Sequence, residues 1–267
     1  MGFFGKLFEK KVCSVCNGEI GLLGNRKLED GNLCKACAKK LSPWFDDRRH
    51  STVDQIKEQL EYREANKEKV AAFHVTRSFG ERIKVLLDED AGVFMATSES
   101  KPQEIAEENP DVLAFSDVTG CELDIEEDRT ELMRQNNEGQ SVSYNPPRYR
   151  YDYDFYVNIY VRSPYFDEIR VKLNNSRVSL EDQPKPQSAM GAILGGLQGI
   201  GRNVEYRRYQ QMGEELKSAL LQARQQQRDV AAQAAKPKAA VTCPWCGATT
   251  MPDAGGCCEY CGGAVNG

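Results

Sequence analysis

The sequence predicts an α+β chain in which a small antiparallel β barrel or sandwich, closed by one helix, lies between two small cysteine-stapled modules. Three features of the 267 residues predict it. Four C-x-x-C pairs are confined to the two ends, the middle repeats its apolar residues every second position, and one later segment repeats them every third or fourth. Length agrees: a single core rarely grows past about 250 to 300 residues and typical domains hold about 100 to 150, so one central domain with satellites fits best. With 40% hydrophobic and 28% charged residues the chain can build a core, though not a greasy one. A net charge of −5 and a pI near 5.4 argue against a nucleic-acid binder, whose footprint is a basic face. Mean hydropathy is −0.59, and the longest uncharged run, Pro186 to Gly201, is short of the roughly 20 residues that span a bilayer. Lys6, Glu9, Lys10 and Lys11 interrupt any signal-peptide core. The expectation is a cytoplasmic protein with reduced cysteines.

Eight of the ten cysteines form the pairs Cys13/Cys16, Cys34/Cys37, Cys243/Cys246 and Cys258/Cys261. Two residues between cysteines let a tight turn point both sulfurs at one ion, and two such turns complete a tetrahedral four-thiolate site. The spacers are 17 residues (Asn17 to Leu33) and 11 residues (Gly247 to Cys257), near those of structural zinc sites. Thiol–disulfide chemistry uses a single C-x-x-C after a strand of a βαβ unit, a context absent here. Two structural zinc ions are therefore expected, each closed by four protein ligands with no position for a reacting water. Cys257 is the alternative to Cys258, which is preferred because Cys258-Glu-Tyr-Cys261-Gly repeats the turn of Cys243-Pro-Trp-Cys246-Gly. Cys121 alternates with Leu123 and Ile125 and reads as a small buried hydrophobe. His50, on a loop, and His74, opening a strand, are surplus to both quartets.

Met1 to Lys11, MGFFGKLFEKK, is a short amphipathic lead. Residues 1–50 then form a treble-clef-like zinc module: a knuckle, a hairpin turning at Glu29-Asp30-Gly31-Asn32, and a helix from Ala36 to Leu41 that starts on the last ligand pair. Ser51/Asp54 and Thr52/Gln55 cap a helix over 51–71, which is charged nearly all round past Glu61 and reads as a stiff solvated connector. The β-domain occupies 72–228. Its strands are expected at Phe73–Phe79, Arg82–Leu87, Gly92–Thr97, Asp111–Phe115, Val118–Glu126, Arg148–Arg162 and Glu168–Leu173, with weaker ones between Thr130 and Tyr144. In the clearest alternation Tyr149, Tyr151, Tyr153, Phe155, Val157, Ile159 and Val161 face the core, opposite Arg148, Arg150, Asp152, Asp154, Asn158 and Arg162. Arginine and tyrosine interleaved in RYRYDYDFY could stack bases, but Asp152 and Asp154 would repel phosphate, so the core reading is preferred. A flexible insertion at 181–202 holds the apolar run Ala189 to Gly201. The closing helix, 203–227, carries Tyr206, Tyr209, Met212, Leu216, Leu220 and Ala223 on one side. An Ala/Pro/Lys linker at 229–240 leads to the last module, 241–267.

On CSVC, IGLLGNRKLEDG, LCKAC, LSPWF and the HSTVDQIKE helix, the stretch from Cys13 to about Phe73 resembles the bacterial domain of unknown function 4428. The tail CPWCGATTMPDAGGCCEYCGG resembles bacterial zinc-ribbon tails. FSDVTGCELDIEED, the tyrosine-rich hairpin and the closing helix resemble bacterial pleckstrin-homology-like domains, without transferable lipid-binding residues. These resemblances imply no known reaction.

No Ser/His/Asp set, phosphate loop or H-E-x-x-H motif is present, and two histidines supply little general-base capacity. The expected function is that of a non-enzymatic zinc-binding adaptor acting on a protein partner in the bacterial cytosol, with no small-molecule substrate identified. One alternative is a peripheral membrane module docking through the β-domain, the amphipathic lead and the Ala189 to Ile200 patch. Another, nucleic-acid binding by the ribbons, is disfavoured by the charge.

Overall fold

The structure, a computed structural model, describes residues 11–181, 203–234, 240–253 and 255–265. It divides into two compact units, Met1–Gln225 and Gln226–Gly267. The amphipathic lead up to Lys10, the insertion beyond Glu181 and the centre of the expected linker lie outside the described residues.

The first unit opens with the module predicted from its cysteines. Strands β1 (Lys11–Val12) and β2 (Glu19–Ile20) flank the first C-x-x-C turn, β3 (Arg26–Lys27) and β4 (Asn32–Leu33) form the hairpin, and the single-turn helix α1 (Lys35–Ala38) follows at once. Cys13, Ile20, Leu28, Leu33, Cys37 and Leu41 bury together against Ile56 of the next helix. So few apolar side chains cannot stabilise a module this small, which leaves the sulfurs as its main cross-link.

Helix α2 (Val53–Ala72) starts on a complete capping box: Thr52 accepts from the Gln55 N–H, and the Gln55 side chain accepts from the Thr52 N–H. It is not the solvated connector expected. Ile56, Gln59, Arg63, Asn66 and Val70 recur every three or four residues and are all buried. The stripe escapes a hydrophobicity reading because its three central members are polar. Asn66 Nδ2 donates to Asn109 Oδ1 and the Pro110 carbonyl, its Oδ1 accepts from the Val112 N–H, and Arg63 pairs with Asp111.

Two four-stranded antiparallel sheets form the β-domain. One runs β5 (Arg77–Phe79), β6 (Lys84–Asp88), β7 (Val93–Thr97), β8 (Leu113–Ala114), with the short helix α3 (Pro102–Glu108) between its last two strands. In the other, β9 (Val118–Gln135) pairs along β10 (Ser141–Val161), whose far side carries β11 (Glu168–Lys172) and β12 (Val178–Glu181). Strands expected to stop at Glu126 and start at Arg148 run on through the weaker pattern to a turn near Asn136–Gln140. Phe73–Phe79 shortens to the three residues of β5 because Phe73 caps α2.

Neither sheet closes, so the expected barrel is replaced by two open sheets. Closure needs strands of matched length and stagger, and a β10 of 21 residues cannot match a β5 of three. Helix α4 (Val204–Ala234), capped by Asn203 Oδ1 on the Tyr206 N–H, covers the core. Its Tyr209, Leu216, Ala219 and Leu220 bury with Phe79, Val85, Leu87 and Phe94 of one sheet and Phe155, Val157, Ile159 and Ile169 of the other. The Tyr206 ring meets Tyr153 and Phe155 edge-on at 5.0 Å. The helix extends past the expected Gln227 to Ala234, since Val230-Ala-Ala-Gln-Ala is rich in helix formers.

In the second unit, β13 (Val241–Thr242) and β14 (Thr249–Thr250) pair antiparallel, and Cys257 bridges to Ala264. Cys243, Cys258 and Val265 are its buried apolar residues.

Candidate metal centres

The first centre grows out of two local structures. After β1 the chain turns back on itself, with the Cys13 N–H donating to the Gly18 carbonyl and the Asn17 N–H to the Cys13 carbonyl. Asn17 takes the left-handed conformation (φ 58°) that lets the turn close, a place where Asn substitutes for glycine. The second pair is set by a helix start. Cys34 is the N-cap of α1, its Sγ accepting from the Cys37 N–H at 3.3 Å, while the Cys34 N–H reaches Cys13 Sγ at 3.3 Å. Cys13 and Cys37 are buried, Cys34 is half-buried and Cys16 exposed. Burial raises the Cys13 thiol, but the N–H groups of Cys16, Cys34 and Val15 outweigh it and bring it down to about 6. Burial pushes the Cys37 thiol up, as do its bonds to the neighbouring sulfurs. Four thiolates so close repel one another, so full deprotonation calls for a cation in their midst.

In the second centre one turn is used twice. Cys243 N–H donates to Ala248 and Gly247 N–H to Cys243, while Cys258 N–H donates to Gly263 and Gly262 N–H to Cys258. Gly247 (φ 70°) and Gly262 (φ 71°) supply the left-handed residue in each. Burial raises the Cys258 thiol, and the N–H groups of Tyr260 and Cys261 bring it down to about 6. Cys257 stands outside this group, its N–H held by Asp253 Oδ1 at 2.8 Å.

In each quartet the four sulfurs lie within 4.8 Å of one another. A thiolate tetrahedron with metal–sulfur bonds of about 2.3 Å has edges of about 3.8 Å, whereas a disulfide needs about 2.05 Å. Cys16 and Cys34 are 3.7 Å apart, Cys243 and Cys261 3.6 Å, and Cys246 and Cys258 3.7 Å. The donor set and its spacing fit a four-coordinate metal ion, with all four positions supplied by the chain.

The remaining candidates lie elsewhere. His50 Nδ1 pairs with exposed Asp47 at 2.6 Å, and the His74 N–H donates to Asp88. Cys121 is buried in the main core, where burial pushes its thiol up to about 12. Asp152 and Asp154 are buried rather than solvent-facing. Asp152 accepts from Ser179 and Arg150, and Asp154 from Lys172, Asn174 and Arg177.

A polar junction unforeseen in the sequence ties the first centre to the β-domain. Two residues beyond α1, the Lys40 carbonyl accepts from Arg63 Nε at 3.2 Å, and Ser42 Oγ donates to Asp111 Oδ2 at 2.7 Å. Arg63 Nη1 meets Asp111 Oδ1 at 2.9 Å, with 5% and 0% of the two side chains exposed. Trp44 packs on the main core two residues later. The one signal for this junction is the spacing of Gln59, Arg63 and Asn66 on one helical face.

Two closed four-cysteine centres, one joined to a helix-covered pair of open β-sheets, define a modular protein with two potential metal-binding sites. Residues 11–59 match the family model described as "Domain of unknown function (DUF4428)", a segment that holds the whole first quartet and the start of α2. No curated protein and no solved structure matches the chain. No helix among the described residues is long and apolar enough to cross a membrane.

Proposed function

We propose that the protein is a non-enzymatic adaptor whose two terminal modules are each held by a structural zinc ion. The observation that carries this reading is the pair of complete sulfur quartets at tetrahedral spacing. Thiolates in a tetrahedron suit zinc, which has no redox chemistry and no geometric demand of its own. When bound, the ion supplies a cross-link. The chain's own residues do the rest: backbone N–H groups stabilise the thiolates, and the knuckle turns aim them. The helix covering two antiparallel sheets supports a pleckstrin-homology-like reading of the middle, in which the β-domain is a scaffold for contacts with another protein. Its test is a cross-linked pull-down with intact chain, as purified and after chelation. The reading expects a protein partner retained by the first sample and lost from the second. Identical partners in both would break the link between metal and binding.

A further inference from the structure

The hairpin of β9 and β10 outruns the core. From Glu126 to Gln135 and from Ser141 to Pro147 nothing on it is buried, and beyond Thr130 and Arg150, where β12 leaves β10, it stands out as a two-stranded ribbon. Three properties of its outer part bear on what it does.

First, its charge is unbalanced locally. Arg129 to Arg150 contains four arginines and two glutamates in a chain of net charge −5. Nearer the core, Arg170 holds Asp124 and Glu126, Arg177 holds Asp128 and Asp154, and Tyr153 donates to Glu127. Farther out, Arg129, Arg134 and Arg148 meet no carboxylate among the described residues, and of the two glutamates Glu131 accepts from Ser143. Three arginines against Glu131 and Glu138 leave the outer ribbon a small net positive charge, distal to the acidic cluster nearer the core.

Second, these arginines are held in place. The Arg129 guanidinium lies 3.6 Å from the centre of the Tyr149 ring, and Arg148 and Arg134 lie 4.6 and 5.9 Å from that of Tyr144. Stacking on a ring fixes the planar fork while leaving its edge donors outward, so less freedom is lost when a carboxylate arrives.

Third, the ribbon has an open edge. β9 has β10 as its one strand partner among the described residues. The other side of the outer ribbon is poor in donors, because Pro146 and Pro147 interrupt β10 where its register shifts between Ser143 and Arg148. An unpaired strand edge is a template for another strand. Nucleic acid has no use for such a ladder, whereas an extended polypeptide does. A second copy would bring like charges together.

We propose that the outer ribbon is a docking arm, taking an acidic extended segment of a partner protein as an added strand along β9, its carboxylates meeting Arg134 on one face and Arg129 on the other. Arg148, one strand behind, adds to the attraction. This deepens the adaptor reading and rests on it.

The test uses full-length metal-loaded protein and a fluorescent Thr-Glu peptide of about eight residues, a strand's length, built as a Thr-Thr-Glu-Glu repeat so that carboxylates stand on both faces of the strand. Controls are its Thr-Lys counterpart, a backbone N-methylated Thr-Glu peptide and an oligothymidylate, followed by anisotropy at low and raised salt. The Thr-Glu peptide should bind, weaken with salt, and lose about tenfold in affinity (about 1.4 kcal/mol) in the triple variant R129Q/R134Q/R148Q. The N-methylated peptide should bind worse than the parent. No Thr-Glu binding, equal binding of Thr-Lys, tighter binding of the oligothymidylate, or a dimer through the ribbon in sedimentation would each overturn the proposal. Metal content read on the same sample separates the two levels: a protein holding both ions that ignores the peptide loses the arm and keeps the zinc scaffold.

Discussion

Replacing Asp111 by Ala should be among the most damaging single changes in the first unit, though Asp111 is far in sequence from any cysteine of the two quartets. The carboxylate is fully buried and accepts from two donors on separate elements, Arg63 Nη1 at 2.9 Å and Ser42 Oγ at 2.7 Å. Removing it leaves a guanidinium, 5% exposed, with only the Lys40 carbonyl at 3.2 Å and a weaker contact to the Glu108 carbonyl at 3.5 Å. Breaking one side of a buried ion pair costs about 3 to 5 kcal/mol, because the surviving charge stays out of water uncompensated. That is a large share of the roughly 5 to 15 kcal/mol that holds a domain folded. Urea unfolding followed by circular dichroism measures it. The double variant R63M/D111L should be less destabilised than the sum of its single changes, since it leaves no orphan charge. A loss below about 1 kcal/mol for D111A, or strict additivity in the double variant, would refute the reasoning.

Cys34→Ser removes a sulfur of the first quartet and the cap of α1, so it should lower the unfolding midpoint of the first unit as well as its metal content, through Lys40 and Ser42. An unchanged midpoint would mean that the junction does not couple the two. Gly80→Ala should cost more than about 2 kcal/mol, because Gly80 has φ 93° and an added Cβ would stand 2.2 Å from the Ile83 carbonyl oxygen, which is backbone and cannot swing away. A near-neutral thermal melt would contradict it. Asp152 is held below the ordinary carboxylate range by the Ser179 hydroxyl and then by Arg150. Burial opposes the same shift in Asp154, where Lys172 and Asn174 prevail. Groups lowered in the folded state stabilise it fully above the ordinary value of about 4, and that contribution drains away as the pH falls through the folded values. D154N should therefore flatten the loss of stability below about pH 4, and a profile parallel to that of the parent would refute the assignment.

How legible each part was follows from the physics that fixes it. The eight clustered sulfurs could be read directly, because a knuckle is a local turn whose ligands lie two residues apart and whose left-handed residue, Gly247 or Gly262, is itself a sequence signal. Asn17 performs that task in the first knuckle with a weaker signature. The core face of β10 was equally plain from Tyr153 to Val161, where every second residue is buried in the main core, though Asp154 and Asn158 on the opposite face are buried too, which alternation does not record. Farther out the same alternation continues at Tyr149 and Tyr151, which are only half-buried, because periodicity records the pleat and not where the core ends. The buried stripe on α2 was hidden for a related reason. Hydrophobic patterning sees Ile56 and Val70 but not the Gln59, Arg63 and Asn66 between them; Arg63 and Asn66 are held by partners at 109–112, while the buried Gln59 amide has no hydrogen-bond partner among the described residues. Open sheets rather than a barrel follow from strand lengths that no single segment reveals.

A metal ion in each sulfur quartet is what the two-module scaffold requires. Elemental analysis of the reduced, freshly purified full chain should find two zinc ions per chain, falling to one in C13S and to one in C243S, with every cysteine recovered as thiol after removal of the ions. Iron in their place, less than one ion per quartet, or cysteines recovered as disulfides would contradict it.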